Sequence, residues 1–90
     1  MSYMINRAAQ AVERVLGCRF LCLPEVEFTS RIPKGKLGYC CDTHIAIRPS
    51  LLRFQQERVL CHELIHWAGI ECEKKTDQLE ISAWVRMEAA

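Results

Sequence analysis

The stretch His62-Glu63-Leu64-Ile65-His66 decides how this chain is read. Residues four apart on a helix stand one above the other on the same face, so His62 and His66 can grip one ion together. Glu63 follows His62, turned by about 100° around the helix axis. From there its carboxylate can reach a water on that ion without ligating the ion itself. The pattern is H-E-x-x-H. It predicts a zinc site in which a glutamate takes the proton of a water that attacks a carbonyl.

The flanks read as helix, which the motif requires. Leu51, Leu52, Val59, Leu60, Leu64, Ile65 and Ala68 recur at three- and four-residue spacing. Ser50, directly after Pro49, is a suitable N-cap, and Gly69 stops the helix one turn after His66. The bland alternative is a helix with two surface histidines and an unrelated glutamate. Two of the three histidines in the chain fall in this motif, on a strongly apolar helix, which argues against it.

Composition bounds the rest. Ninety residues make one small domain, 1–90, in which half the residues are hydrophobic. A core of that size gains from a bound metal. The net charge of +1 is interspersed, which gives neither a nucleic-acid mimic nor a general basic patch for DNA, so nucleic acid is not an expected partner. Nothing approaches the roughly 18 apolar residues of a membrane span, and the N-terminus lacks the charged-then-apolar order of a signal peptide. The six cysteines include no C-x-x-C pair. The expectation is reduced thiols in the cytoplasm, mostly buried as small hydrophobes.

Residues 3–16 read as an amphipathic helix capped by Ser2, with Met4, Ile5, Ala8, Ala11, Val12, Val15 and Leu16 as its stripe and Gly17 as its stop. After an apolar stretch at 19–23, which fits a strand or a loop, Pro24 marks a break. Glu25 to Thr29 then alternates as a half-buried strand. The basic segment 30–36 reads as a solvated hairpin loop, or as a contact for an acidic partner. Residues 37–42 and 44–48 form two more strands, with a tight turn near Asp42-Thr43. Beyond Gly69 comes a polar connection, and a last helix runs from about Asp77 to Met87 with Leu79, Ile81, Ala83, Trp84 and Met87 as its apolar content. The fold class is α+β.

A catalytic zinc site takes three protein ligands and leaves one position open. No histidine follows His66, so a carboxylate must complete the set. Glu80, near the start of a helix that folds back over the motif, has the reach. Glu73 and Asp77 are the alternatives, with Glu71 and Glu73 close to the turn, and Cys72 is a lesser one. Asp77 and Glu80 can instead form a capping box. Oxyanion stabilisation and a strand edge to hold the peptide are also needed. Tyr39 and His44 are the candidates to face the cleft as catalytic side groups. The strand at Gly38–Asp42 is the candidate edge. Arg48 can bind a substrate carboxylate or pair with a surface acid.

The run Leu60-Cys61-His62-Glu63-Leu64-Ile65-His66-Trp67-Ala68-Gly69 resembles the H-E-L-x-H-W-x-G helix in the zincin-like metallopeptidase domain of ArdC-type antirestriction proteins. Upstream, Tyr39 and His44-Ile45-Ala46-Ile47-Arg48-Pro49 resemble the Y…D-x-I-x-x-P segment before that helix. Downstream, Glu80-Ile81-Ser82-Ala83 resembles its E-x-x-A stretch. The resemblance spans residues 37–85. It implies a gluzincin-like plan, shared with the small minigluzincins: an N-terminal helix, a small antiparallel sheet of about three strands, the active-site helix and a glutamate helix. It implies a zinc metallopeptidase, with a protein or peptide as substrate. ArdC-type proteins carry a separate single-stranded-DNA-binding domain for which these 90 residues leave no room, so DNA binding is not carried over. A compact zincin of this kind suits a bacteriophage or mobile-element gene. The rival expectation is a zincin fold kept for interaction alone, with structural zinc or none.

Overall fold

The computed structural model describes residues 2–89 and holds three helices and one small sheet: α1 (Ser2–Leu16), β1 (Glu25–Phe28), β2 (Gly38–Cys40), β3 (His44–Ile47), α2 (Arg53–Trp67) and α3 (Glu73–Ala89). The class is α+β, as expected. Helix α1 turns Met4, Ala8, Ala11 and Val12 into the core, and Gly17 ends it in a left-handed conformation at φ 69°. The cap expected of Ser2 falls on a side chain outside the described part. The 19–23 stretch is a loop, with Leu21 fully exposed.

Helices α1, α2 and α3 pack on one another, and the sheet packs on α2. Leu60, Cys61, Leu64 and Ile65 of α2 are all sealed from solvent, together with Val12, Ile45, Ile47 and Ala83. On α3 the buried stripe is Thr76, Ala83 and Met87, whereas Ile81, part of its apolar content, is 53 % exposed. Its one-turn neighbour Val85 is exposed too, so that face of α3 looks outward.

The sheet order is β1-β3-β2, with β1 parallel and β2 antiparallel to β3. The expected antiparallel sheet is therefore corrected to a mixed one. Alternation identifies strands but not their neighbours. Segment 29–37 is not a hairpin loop; it carries the chain past the slot that β3 fills later. The loop is pinned rather than free. Arg48 donates from Nε to Lys36 O (2.6 Å) and from Nη2 to Ile32 O (3.0 Å) and Pro33 O (3.1 Å), and Ile32 is buried. Arg48 thus binds backbone carbonyls rather than a surface acid among the described residues. The tight turn at Asp42-Thr43 is present: Cys41 N–H donates to His44 O at 3.0 Å.

The starts of α2 and α3 differ from expectation, whereas the stop at Gly69 is as expected. Ser50 is not the N-cap; the helix opens at Arg53, and Leu52 N–H donates to Gln55 Oε1 at 3.0 Å. Gly69, at φ 106°, closes it with its N–H on His66 O. Helix α3 starts at Glu73 rather than near Asp77, because Thr76 satisfies Cys72 O twice, through its N–H (2.9 Å) and its hydroxyl (2.8 Å). The Asp77–Glu80 capping box is therefore absent; both residues lie inside the helix.

Gly38 sets the distance between β2 and α2. A Cβ there would stand 2.6 Å from Ala46 O and 2.7 Å from Val59 Cγ1. One obstacle is backbone, so the strand itself must shift. Gly38→Ala is expected to cost about 1–3 kcal/mol, as overpacking generally does, and to lower the urea midpoint. An unchanged midpoint would contradict this reading of the contact.

Candidate metal centre

The H-E-x-x-H residues occupy the last two turns of α2, with their apolar neighbours buried behind them. His62 and His66 are 4.8 Å apart between ring centroids and nearly perpendicular. They face an open cleft of about 1370 Å³, walled by β2 and its turn, by α2 and by the first turns of α3. Glu63 is buried to 7 % exposure beside them.

Each imidazole is held from behind. His66 Nδ1 lies 2.7 Å from Ile70 O, and a carbonyl only accepts, so Nδ1 carries the proton. His62 Nδ1 donates to Glu80 Oε1 at 3.0 Å, and Asp77 Oδ1 lies 3.4 Å away. The other oxygen of Glu80 accepts from Arg58 Nε at 2.8 Å. Both Nε2 atoms therefore point the other way, onto one carboxylate. Glu73 Oε2 is 2.7 Å from His66 Nε2, and its Oε1 is 3.1 Å from His62 Nε2.

This placement differs from the argument on reach. Glu73, judged too close to the turn, is the acid that meets both histidines; Glu80 meets His62 alone, on its Nδ1 side. The early start of α3 is the cause, since it lifts Glu73 into a helical turn opposite the motif. A signal was available: Glu73, Asp77 and Glu80 follow i, i+4, i+7 and share one helix face. Among the described residues two groups have the spacing of metal ligands, His62-His66-Glu73 and His62-Asp77-Glu80, with donor atoms within 4.8 Å of one another. Of the expected side groups, Tyr39 lines the cleft and His44 does not. His44 borders a separate shallow depression with Glu25, Val26 and Glu27. Glu71 lines the cleft; Cys72 is exposed and belongs to neither ligand group. No protein-family model, curated protein or solved structure matches the chain.

The donor set fits a metal. Tetrahedral zinc with ligands at about 2.0–2.2 Å places neighbouring donors about 3.3 Å apart, close to the separations seen. The two Nε2 atoms and the Glu73 carboxylate lie within 4.8 Å of one another, and a positive charge among them, metal or proton, stabilises such a cluster. Without a metal, protons serve. The Glu80 hydrogen bond pushes His62 up to about 9, from an ordinary 6.5 and against the opposing effect of burial. Burial alone would raise Glu80, but His62 and Arg58 outweigh it and hold the carboxyl below its usual range. Glu63 shifts the other way: burial raises it, partly offset by the two histidines.

All six cysteines are free thiols. The expectation that most are buried is corrected: only Cys61 is, and Cys18, Cys22, Cys41 and Cys72 are exposed. They fall in loops, turns and helix junctions, where no core is at hand.

In metal-free protein the His62 ring signals are expected to titrate near 9 in an NMR pH series, and Glu80→Gln should bring that midpoint down towards 6.5. The folded value is the raised one. The contribution of His62 protonation to stability is thus fully present near 6.5 and is lost as pH rises through about 9, while on the acid side the pair is lost as Glu80, itself lowered, takes up its proton. A His62 midpoint unmoved by Glu80→Gln would break the link.

Proposed function

We propose that this chain is a zinc-dependent metallopeptidase whose ion is held by His62, His66 and Glu73, with Glu63 as general base. The observation that carries the reading is the pair of Nε2 atoms turned onto one carboxylate, each ring fixed from behind, with a buried glutamate next to them. The resemblance to zincin-like metallopeptidase domains supports it independently of that geometry.

A zinc ion held there supplies Lewis acidity, which makes a water molecule nucleophilic near neutral pH and polarises the substrate carbonyl. Glu63 takes the proton from the attacking water and passes it to the leaving amine. Burial raises its proton affinity, which suits a group that must hold a proton between two steps. Glu80 and Ile70 O keep both rings in the tautomer that exposes Nε2; partners of this kind typically contribute 10–100-fold to metal affinity. Strand β2 is a sheet edge on the cleft wall, and an extended peptide can add to it. Phe54, Val59 and Leu37 offer apolar contacts along the same cleft.

Metal content, measured by mass spectrometry on four purified proteins, tests the reading. Wild type and Glu63→Gln should each carry about one zinc per chain. Glu73→Ala should lose it, and Glu80→Ala should bind about 10–100-fold more weakly. On a peptide library, Glu63→Gln should cut hydrolysis by about 10²–10⁴. Full hydrolysis by Glu63→Gln would overturn the role of that residue. Folded protein without zinc in any variant would overturn the metal site and favour an interaction module on the same fold.

A further inference from the structure

The β2–β3 turn holds a second reactive constellation, which involves none of the metal-site residues. Cys41 is exposed at the mouth of the turn. Its Sγ lies 3.1 Å from His44 Nδ1, and His44 Nε2 lies 3.3 Å from Tyr39 Oη, with the two rings edge to face at 5.7 Å. A thiol, a base within hydrogen-bonding reach and a third group behind the base is the arrangement that activates a cysteine nucleophile. The short turn enforces it: the two-residue loop sets Cys41 opposite His44, and the antiparallel register sets Tyr39 two residues back on the same side. Thr43 closes the cluster, with its hydroxyl 3.6 Å from the sulfur and 3.1 Å from His44 Nδ1.

We propose that Cys41 is a modification site that takes small-molecule disulfides by thiol–disulfide exchange, with His44 as its base. His44 Nδ1 accepts the thiol proton, and its Nε2–H donates to Tyr39 Oη. The Cys41 thiolate attacks one sulfur of the disulfide. A new S–S bond forms as the old one breaks, and the departing thiolate takes the proton back from His44. One disulfide is consumed and one is made, so no external oxidant is needed. The other thiols are less suited. Burial pushes Cys61 up to about 12 and Cys40 to about 11. Hydrogen bonds from Thr43 and from the His44 backbone lower Cys41. Exposed Cys18, Cys22 and Cys72 have no hydrogen-bonding base at the sulfur among the described residues. Cys41 also lines the metal cleft beside the β2 edge, so a bulky adduct there would stand in the path of an extended peptide.

The test uses the full chain with oxidised glutathione, and peptide mass spectrometry to follow every cysteine in time. Cys41 should form the mixed disulfide about tenfold faster than Cys18, Cys22 or Cys72 at neutral pH. His44→Gln should remove most of that advantage and shift the Cys41 pH–rate profile upward, while the other three rates stay put. The groups that face this turn are Asp42, Cys40 and Tyr39, with Glu25 and Glu27 across the depression that His44 borders, and all of them are intact in that variant. Glu25→Gln serves as a control for imidazolium stabilisation and should leave the ranking of the cysteines unchanged. Equal rates at Cys41 and the other exposed thiols, or a Cys41 rate untouched by His44→Gln, would overturn the proposal. Zinc content does not enter the readout, so this experiment and the metal test fail separately.

Discussion

The structure depends on one burial. Helix α2 is the element that touches both other helices and the sheet, and Leu60, Cys61, Leu64 and Ile65 are fully enclosed there. An α-helix cannot bury one side without fixing where the other side points. With those four residues inward, His62 and His66 must face the groove between α3 and the β2 edge. The site is a consequence of the core rather than an addition to it. Gly38 serves the same end from the sheet, since it lets β2 approach the helix that carries the histidines.

Three of the carboxylates near the histidine pair sit in different surroundings. Glu80 sits between two cationic partners and stays charged. Glu63 is buried with no hydrogen bond among the described residues, and its proton affinity rises. Glu73 is two-thirds exposed and bridges both rings from the solvent side. The same functional group thereby sits in three different electrostatic settings within one cleft. Environment, not residue type, separates them.

That separation explains what could be read from the sequence. The H-E-x-x-H helix, the strands, the two-residue turn and the α+β class follow from local periodicity and from glycines at stops, and these were legible. Strand order was not, because nothing local to Val26 or Ile45 records that they become neighbours. Nor does composition say which apolar residues of α3 are buried: Ile81 is apolar, but its helix face looks outward. The third acid turned on a single helix start. Thr76 and Cys72 close the first turn of α3, and that one turn decides whether Glu73 hangs in a loop or stands opposite His66. His44 was legible as a polar strand residue, but its partner Cys41 lies across a turn, where spacing alone gives no contact.

The order of the strands has a consequence for how the molecule assembles. Strand β3 finds β2 across two residues, a closure that takes microseconds. It finds β1 only across the whole segment that contains β2, and parallel pairing at such separation is intrinsically slower. The central slot of the sheet is thus filled from one side first. A β2–β3 hairpin without β1 would leave one edge of β3 open along Ile45 and Ile47. That edge is apolar and unpaired, the kind of surface that recruits strands from other chains. The Arg48 clamp holds the connecting loop against the end of β3 and so shortens the search for β1.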